Sequence, residues 1–244
     1  MNNQTIASVG ILGMGSFGSF VASLIPSRIS VTAYDPDPKK TTPGTFEEAC
    51  TADVVILAVP LSAYSEVLSN LKPFLRPETL VIDVCSVKER PQALFAEFLP
   101  HHANVLLTHP LFGPQSAARN SQGHHLIVTK QSGERAKQVI DFCKTTLGLT
   151  VSILSGKEHD RIMAQVHALT FFAARVLAKM RLEEMPFETP SYKMITDLAA
   201  FDKSHTDELF DTIELGNAYA KDVREELLRS MERLCQELAI KEMP

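Results

Sequence analysis

The run Val9-Gly10-Ile11-Leu12-Gly13-Met14-Gly15-Ser16-Phe17-Gly18 decides the fold. An apolar, β-branched stretch enters a G-x-G-x-x-G turn, and a helical pattern over Ser16–Leu24 leaves it. Gly13 lets the chain turn tightly, Gly15 lets backbone approach a pyrophosphate, and Gly18 lets helix and strand pack closely. Ser16, Phe17 and Gly18 open the helix, whose first N–H groups and positive dipole end face the phosphates. The second strand-like run ends at Asp35, about 20 residues beyond the glycines, where a carboxylate accepts bonds from a ribose 2′-hydroxyl and repels a 2′-phosphate. These features imply a dinucleotide site that favours NAD over NADP. Lys39 and Lys40 follow closely and blunt that preference. Val59-Pro60 ends a third strand on the same edge, where its backbone would border the nicotinamide-side ribose.

Outward from this turn, strand-like runs recur at Ser8–Gly13, Ile29–Asp35, Val54–Pro60, Thr79–Asp83, Val105–Thr108, His125–Thr129 and Thr150–Leu154. Helical patterns lie between most of them, at Thr45–Ala49, Ala63–Leu71, Arg90–Phe98 and Glu134–Leu147. Apolar strands alternating with helices imply an α/β fold: a Rossmann-type, doubly wound, mostly parallel sheet. Beyond Ser155 helical periodicity takes over, at Lys157–Leu182, Tyr192–Ala200 and one long stretch from Thr206 to Ile240. The expected organisation is a dinucleotide-binding domain over 1–155 and a small all-helical substrate and dimerisation domain over 156–244. Roughly 90 helical residues are few for an independent core, so packing against the first domain and a second copy is expected. Leu227, Leu228, Met231, Leu234 and Leu238 form an amphipathic stripe suited to that role.

The chain has 244 residues, 45% of them hydrophobic, and a net charge of −5. This balance argues against nucleic acid or an anionic membrane as main partner. No apolar run approaches the length of a membrane span. The start, Met-Asn-Asn-Gln-Thr, lacks the basic region of a signal peptide. Cys50, Cys85, Cys143 and Cys235 have neither CxxC nor metal-ligand spacing. They read as reduced, mostly buried residues of a cytoplasmic protein with no metal site.

Two further strand ends carry polar groups, Val84-Cys85-Ser86-Val87-Lys88 and Thr108-His109-Pro110-Leu111-Phe112-Gly113-Pro114. A histidine titrates near neutral pH, so His109 is a candidate base for a proton lost as hydride leaves. A strand-end histidine satisfied by backbone is the competing reading. Ser86 has a hydroxyl to orient substrate or histidine, and it also fits a capping box with Glu89.

"IDVCSVK" (Ile82–Lys88) followed by "THPLFGPQSA" (Thr108–Ala117) resembles the prephenate/arogenate dehydrogenases of tyrosine biosynthesis. Glu158-His159-Asp160 resembles the family's Glu-His-Asp motif, and "TPSYKMITDL" (Thr189–Leu198) resembles the Thr-x-x-Tyr segment of its plant-like branch. The resemblance runs from the glycine loop to about residue 225. It implies NAD-dependent oxidation of a cyclohexadienol, prephenate or arogenate, with hydride leaving the carbon that bears the ring hydroxyl and loss of carbon dioxide making the ring aromatic; for prephenate the product is 4-hydroxyphenylpyruvate. It further implies that His109 accepts the hydroxyl proton and that Ser86 bonds the hydroxyl together with the histidine or the carboxamide. Gln115, His167, Thr189, Lys193 and His205 fall on segments that would line the substrate, and the helical domain would make a homodimer.

The chain departs from the pattern in places. Many bacterial members hold a substrate carboxylate with a helical-domain arginine, yet none stands between Leu182 and Val223. Lysines 193, 203 and 221 are the non-histidine cations there, and a lysine is a point charge rather than a bidentate fork. His167 also reads as a core or interface histidine. His205 stands where arogenate-preferring plant relatives carry an acidic residue, which leans the expectation towards prephenate. Arogenate as substrate, a β-hydroxyacid dehydrogenase, and an NAD-sensing protein without turnover are the alternatives.

Overall fold

The computed structural model describes residues 5–40, 44–117, 120–180, 182 and 185–242. Residues 1–4 of the expected leaderless start, and Arg181 in the expected helix Lys157–Leu182, lie outside them.

Val9, Ile11 and Leu12 of the opening run are all buried, so both faces of that strand are covered, as a central parallel strand requires. Seven strands form one sheet: β1 (Ser8–Leu12), β2 (Ser30–Tyr34), β3 (Val54–Leu57), β4 (Leu80–Asp83), β5 (Val105–Pro110), β6 (His125–Gln131) and β7 (Thr150–Ile153). Their order is β2-β1-β3-β4-β5-β6-β7. Every neighbouring pair is parallel except β5 and β6. The order reverses at β1, which lies between β2 and β3, and the crevice beyond their carboxyl ends is where open α/β sheets bind ligands.

Helices cover the sheet in two layers. α2 (Phe46–Cys50), α3 (Tyr64–Leu71) and α4 (Glu89–Phe98) bury Cys50, Leu68 and Phe95 against Val55, Leu57, Val81 and Leu107. α1 (Ser16–Leu24) and α6 (Glu134–Thr145) pack against the other core, which holds Val9, Ile56, Ile82 and Leu106. A short helix, α5 (Pro114–Ala117), follows β5 and was not expected. β5 runs to Pro110 rather than Thr108, because His109 and Pro110 pair with Ile127 and Leu126 of the antiparallel β6. His109 is therefore inside the sheet rather than just beyond a strand end.

The chain divides into two compact units, Met1–His159 and Asp160–Pro244, and the division falls within α7 (Gly156–Met163). A π-helical turn, Ala164–Ala168, joins α7 to α8 (Leu169–Lys179). α9 (Pro190–Lys203), α10 (Asp207–Gly216) and α11 (Ala220–Glu242) complete the second unit. The long stretch expected from Thr206 to Ile240 is thus two helices. Asn217 breaks it: its side-chain amide donates to the Asp160 carbonyl at 2.7 Å, and its side-chain oxygen accepts from the Tyr219 amide at 2.9 Å. A side chain that satisfies nearby backbone competes with helix continuation.

Candidate active site

At the turn after β1, Gly13 has φ +98°, a conformation that a side chain would strain. A Cβ at Gly18 would collide with the Gly13 carbonyl, so helix and strand touch backbone to backbone there. A Cβ at Gly15 would meet no described atom within 4 Å. Gly15 is also the N-cap of α1, with no side-chain cap, so the first amides of Ser16, Phe17 and Gly18 border that open space. Space above one glycine, contact beneath another and a helix start between them suit a pyrophosphate. β3 ends at Leu57 rather than at the expected Pro60; Val59, just beyond it, packs its side chain on Gly13, and Pro60 follows it exposed.

Asp35 ties this turn to the end of β2. Its carboxylate accepts from the Met14 amide at 2.7 Å and the Asp37 amide at 2.9 Å, and it pairs with Lys40 at 3.0 Å. Burial by itself would raise this carboxyl. The Asp37 amide, Lys40 and the Met14 amide outweigh burial and hold it below the ordinary carboxylate value. An ionised group therefore stands where a ribose hydroxyl needs an acceptor, with a lysine beside it.

The carboxyl ends of β4 and β5 are held by a buried network that the sequence reading did not single out. Asp83 and Lys88 are fully buried and form an ion pair. Lys88 also donates to the Thr108 carbonyl. Tyr64 donates to Asp83 at 2.5 Å, the Cys85 amide donates to it at 2.9 Å, and the Thr108 hydroxyl donates to the Asp83 carbonyl at 2.7 Å. Each partner lowers the cost of the buried charges. The network ties the end of β4, just before Ser86, to Thr108 of β5, the neighbour of His109. Its sequence signal was the "IDVCSVK" run, which sets the opposite charges of Asp83 and Lys88 on either side of Ser86.

Ser86 is half-buried in the β4–α4 connection. The helix after it begins at Glu89 with Lys88 as N-cap and no side-chain cap, so the expected Ser86 capping box is not how this helix starts. Lys88 is drawn inward by Asp83, and the turn it makes shifts the helix start past Ser86. The capping box forms elsewhere, at Ser155 and Glu158: the Ser155 hydroxyl accepts from the Glu158 amide at 3.1 Å, and Glu158 accepts from the Ser155 amide at 2.9 Å.

His109 is 3% exposed, and its Nδ1 lies 2.8 Å from Nε2 of His159, which is fully buried. The ring planes meet at 71°. His159 was read only as one letter of a motif, and its pairing with a residue fifty positions away carries no local signal. Gln115 is exposed on α5, after the same strand.

The remaining expected substrate residues belong to the second unit. His167 stands on the π-helical turn with its ring edge on Phe171, centroids 4.8 Å apart. His205 packs on Phe171 and Phe201 at 5.0 and 4.3 Å. Its Nδ1 lies 2.9 Å from the Phe201 carbonyl. The two histidines thus share one aromatic cluster. Thr189 is the N-cap of α9 and accepts from the Tyr192 amide at 3.1 Å, which gives the Thr-x-x-Tyr spacing a structural role. Lys193 is exposed and ion-paired with Asp197, one turn on.

A sheet with this order, a glycine turn and an acidic residue at the end of β2 define a Rossmann-type fold whose first turn suits a dinucleotide. The family "Prephenate dehydrogenase, nucleotide-binding domain" matches residues 31–151. Arogenate dehydrogenase 2, chloroplastic, of Arabidopsis thaliana is 30% identical over 94% of this chain and 69% of its own length. Arogenate dehydrogenase 1, chloroplastic, of the same plant is 27% identical over 94% of this chain. The chain spans 39% of that longer relative. The crystal structure of prephenate dehydrogenase from Aquifex aeolicus, in complex with hydroxyphenyl propionate and NAD+, superposes with a TM-score of 0.77. It covers 99% of this chain and 93% of its own at 19% identity, a likeness of fold. The chain belongs to the prephenate/arogenate dehydrogenase family.

Proposed function

We propose that the chain catalyses NAD-dependent oxidative decarboxylation of prephenate to 4-hydroxyphenylpyruvate. The observation that carries this reading is His109, buried at the carboxyl end of β5 beside the strand end that leads to Ser86. His109 takes the proton of the ring hydroxyl at Nε2, since Nδ1 lies in the pair with His159. Ser86 donates to or accepts from that hydroxyl and orients it. The open space at Gly15 and the first amides of α1 would hold the pyrophosphate, and Asp35 would accept from the adenosine ribose. NAD, when bound, would supply the hydride acceptor. Loss of carbon dioxide then makes the ring aromatic, which leaves orientation and a base as the main tasks of the chain.

Asp35 supports NAD over NADP, and Lys40 at 3.0 Å tempers the preference. Gln115, His167, Thr189, Lys193 and His205 remain the proposed substrate-side residues, with Lys193 the weakest because Asp197 already compensates its charge. The domain roles proposed from the sequence stand alongside: cofactor on 1–155, substrate and dimer contacts on 156–244. A homodimer through the helical unit is supported by its exposed apolar side chains. Among the described residues no helix is long and apolar enough to cross a membrane. Among the described residues the four cysteines form no disulfide, which supports a reducing cytoplasm, although the Arabidopsis relatives are described as chloroplastic.

Arogenate is a second reading, favoured by the likeness to Arabidopsis arogenate dehydrogenase 2. Rates measured with each substrate and each of NAD and NADP separate the readings. Prephenate with NAD is expected to give the highest kcat/KM. A clear preference for arogenate would replace the substrate assignment, and no reaction in any combination would overturn the proposed function.

A further inference from the structure

His109 and His159 meet through two ring nitrogens 2.8 Å apart. At that distance one hydrogen must lie between them, because two lone pairs repel. Two neutral arrangements satisfy this. If His159 donates, His109 carries its own proton on Nε2 and cannot accept another there. If His109 donates from Nδ1, its Nε2 bears a lone pair rather than a proton. Only the second arrangement makes His109 a base.

We propose that His159 is a positioning residue for proton transfer, accepting the Nδ1–H of His109 and so holding that ring in its basic tautomer. This rests on the function proposed above. His159 is itself well placed. The capping box of Ser155 and Glu158 starts its helix, and the His159 amide donates to the Ser155 carbonyl at 3.0 Å. Both rings are buried, so bulk water does not substitute for the partner. The near-perpendicular contact at a centroid distance of 5.0 Å fixes both ring orientations.

The pair also serves the charged state. When the substrate O–H bond breaks and an N–H bond forms at Nε2, His109 becomes an imidazolium. Its Nδ1–H then donates a charge-assisted bond to the His159 lone pair, which lowers the cost of a buried positive charge. The proton and its charge stay on the pair until loss of carbon dioxide leaves a phenolate oxygen, to which Nε2 returns the proton.

The test combines spectroscopy of the free protein with kinetics. Imidazole ¹⁵N spectra of the full chain without ligand are expected to show His109 protonated at Nδ1. In His159→Ala, kcat is expected to fall by about 10- to 100-fold, part of the roughly 100- to 10,000-fold that a positioned base supplies. KM for prephenate and for NAD stays near its original value. His159→Gln, whose carbonyl can accept the Nδ1–H, restores most of kcat, and circular dichroism of each variant reports the fold. A proton on Nε2 of His109 in the free chain, an unchanged kcat in His159→Ala, or a loss confined to KM would each overturn the positioning role. Absence of turnover by the unaltered chain would overturn the proposed function, and this role with it, even where the spectra show the expected tautomer.

Discussion

Lys88 carries a charge that solvent does not reach. Its ammonium pairs with Asp83 and bonds the Thr108 carbonyl, so it holds the end of β4 before Ser86 against the part of β5 that carries His109. Replacing it by methionine keeps the bulk and leaves Asp83 buried without its cation. The expected cost is about 3–5 kcal/mol, with part regained in a Lys88→Met, Asp83→Asn double variant, measured by chemical denaturation. Additive losses would show that the two groups are not coupled. At the other edge of the sheet Asp53 accepts from the Ala7 and Ser8 amides and pairs with Arg135 and Arg76. Burial alone would raise its carboxyl, but the Ala7 amide, Arg135 and the Ser8 contacts hold it low. A lowered folded value means the stabilisation is present above the ordinary carboxylate value of about 3.9 and is lost as pH falls through the lowered one. Acid titration of stability should therefore be shallower in Asp53→Asn than in the unaltered chain, and equal slopes would contradict the assignment. Burial pushes the Cys50 thiol up to about 12 and that of Cys143 to about 11, consistent with unreactive packing residues. His109 and Ser86 were legible because their chemistry is rare at the end of an apolar strand. Lys88 and His159 were not, because each acts through a partner that only the tertiary fold supplies.

Among the elements, the turn from β1 into α1 was read residue by residue from its glycines, since each position there answers a local steric demand. Two substitutions separate those demands. Gly15→Ala places a methyl in open space, so the melting temperature should hold while KM for NAD rises. Gly18→Ala drives a methyl into the Gly13 carbonyl, so stability itself should fall. The same response from both would contradict the distinct roles. Strand positions were legible for a related reason: short apolar runs between breakers have few alternatives once the order alternates with helices. Their ends were less so. β5 gains His109 and Pro110 from its pairing with β6, a partner not visible within β5 itself. The Ser86 capping pattern was outcompeted by the inward pull on Lys88, and the break at Asn217 depends on the Asp160 carbonyl, far away in sequence. The Thr-x-x-Tyr segment, read as substrate contact, has at least a capping role at Thr189.

For the molecule as a whole, the two units differ in how well they bury their apolar residues. The first has two continuous cores, one on each face of its sheet. Among the described residues the second has a core cluster of Ala168, Phe171, Ile213 and Ala220, with Phe201, Leu209 and Phe210 packed against it. Leu228, Met231, Leu234 and Leu238 on α11 are each about half exposed. A stripe of that kind on one helix face supports the proposed homodimer. Sedimentation should give twice the chain's mass, and Met231→Glu with Leu234→Glu should give a monomer. A monomeric unaltered chain would refute the dimer. The composition made the small helical core foreseeable, but which stripe stays uncovered emerged only from the packing. The most direct test of the whole is NADH formation by the purified chain given prephenate and NAD, beside a His109→Asn variant. Turnover by the unaltered chain, reduced by about 100-fold or more in the variant while NAD still binds, is the expected result for a positioned base. Equal turnover in the two, or none in either with NAD bound, would contradict the assignment of His109 and of the reaction.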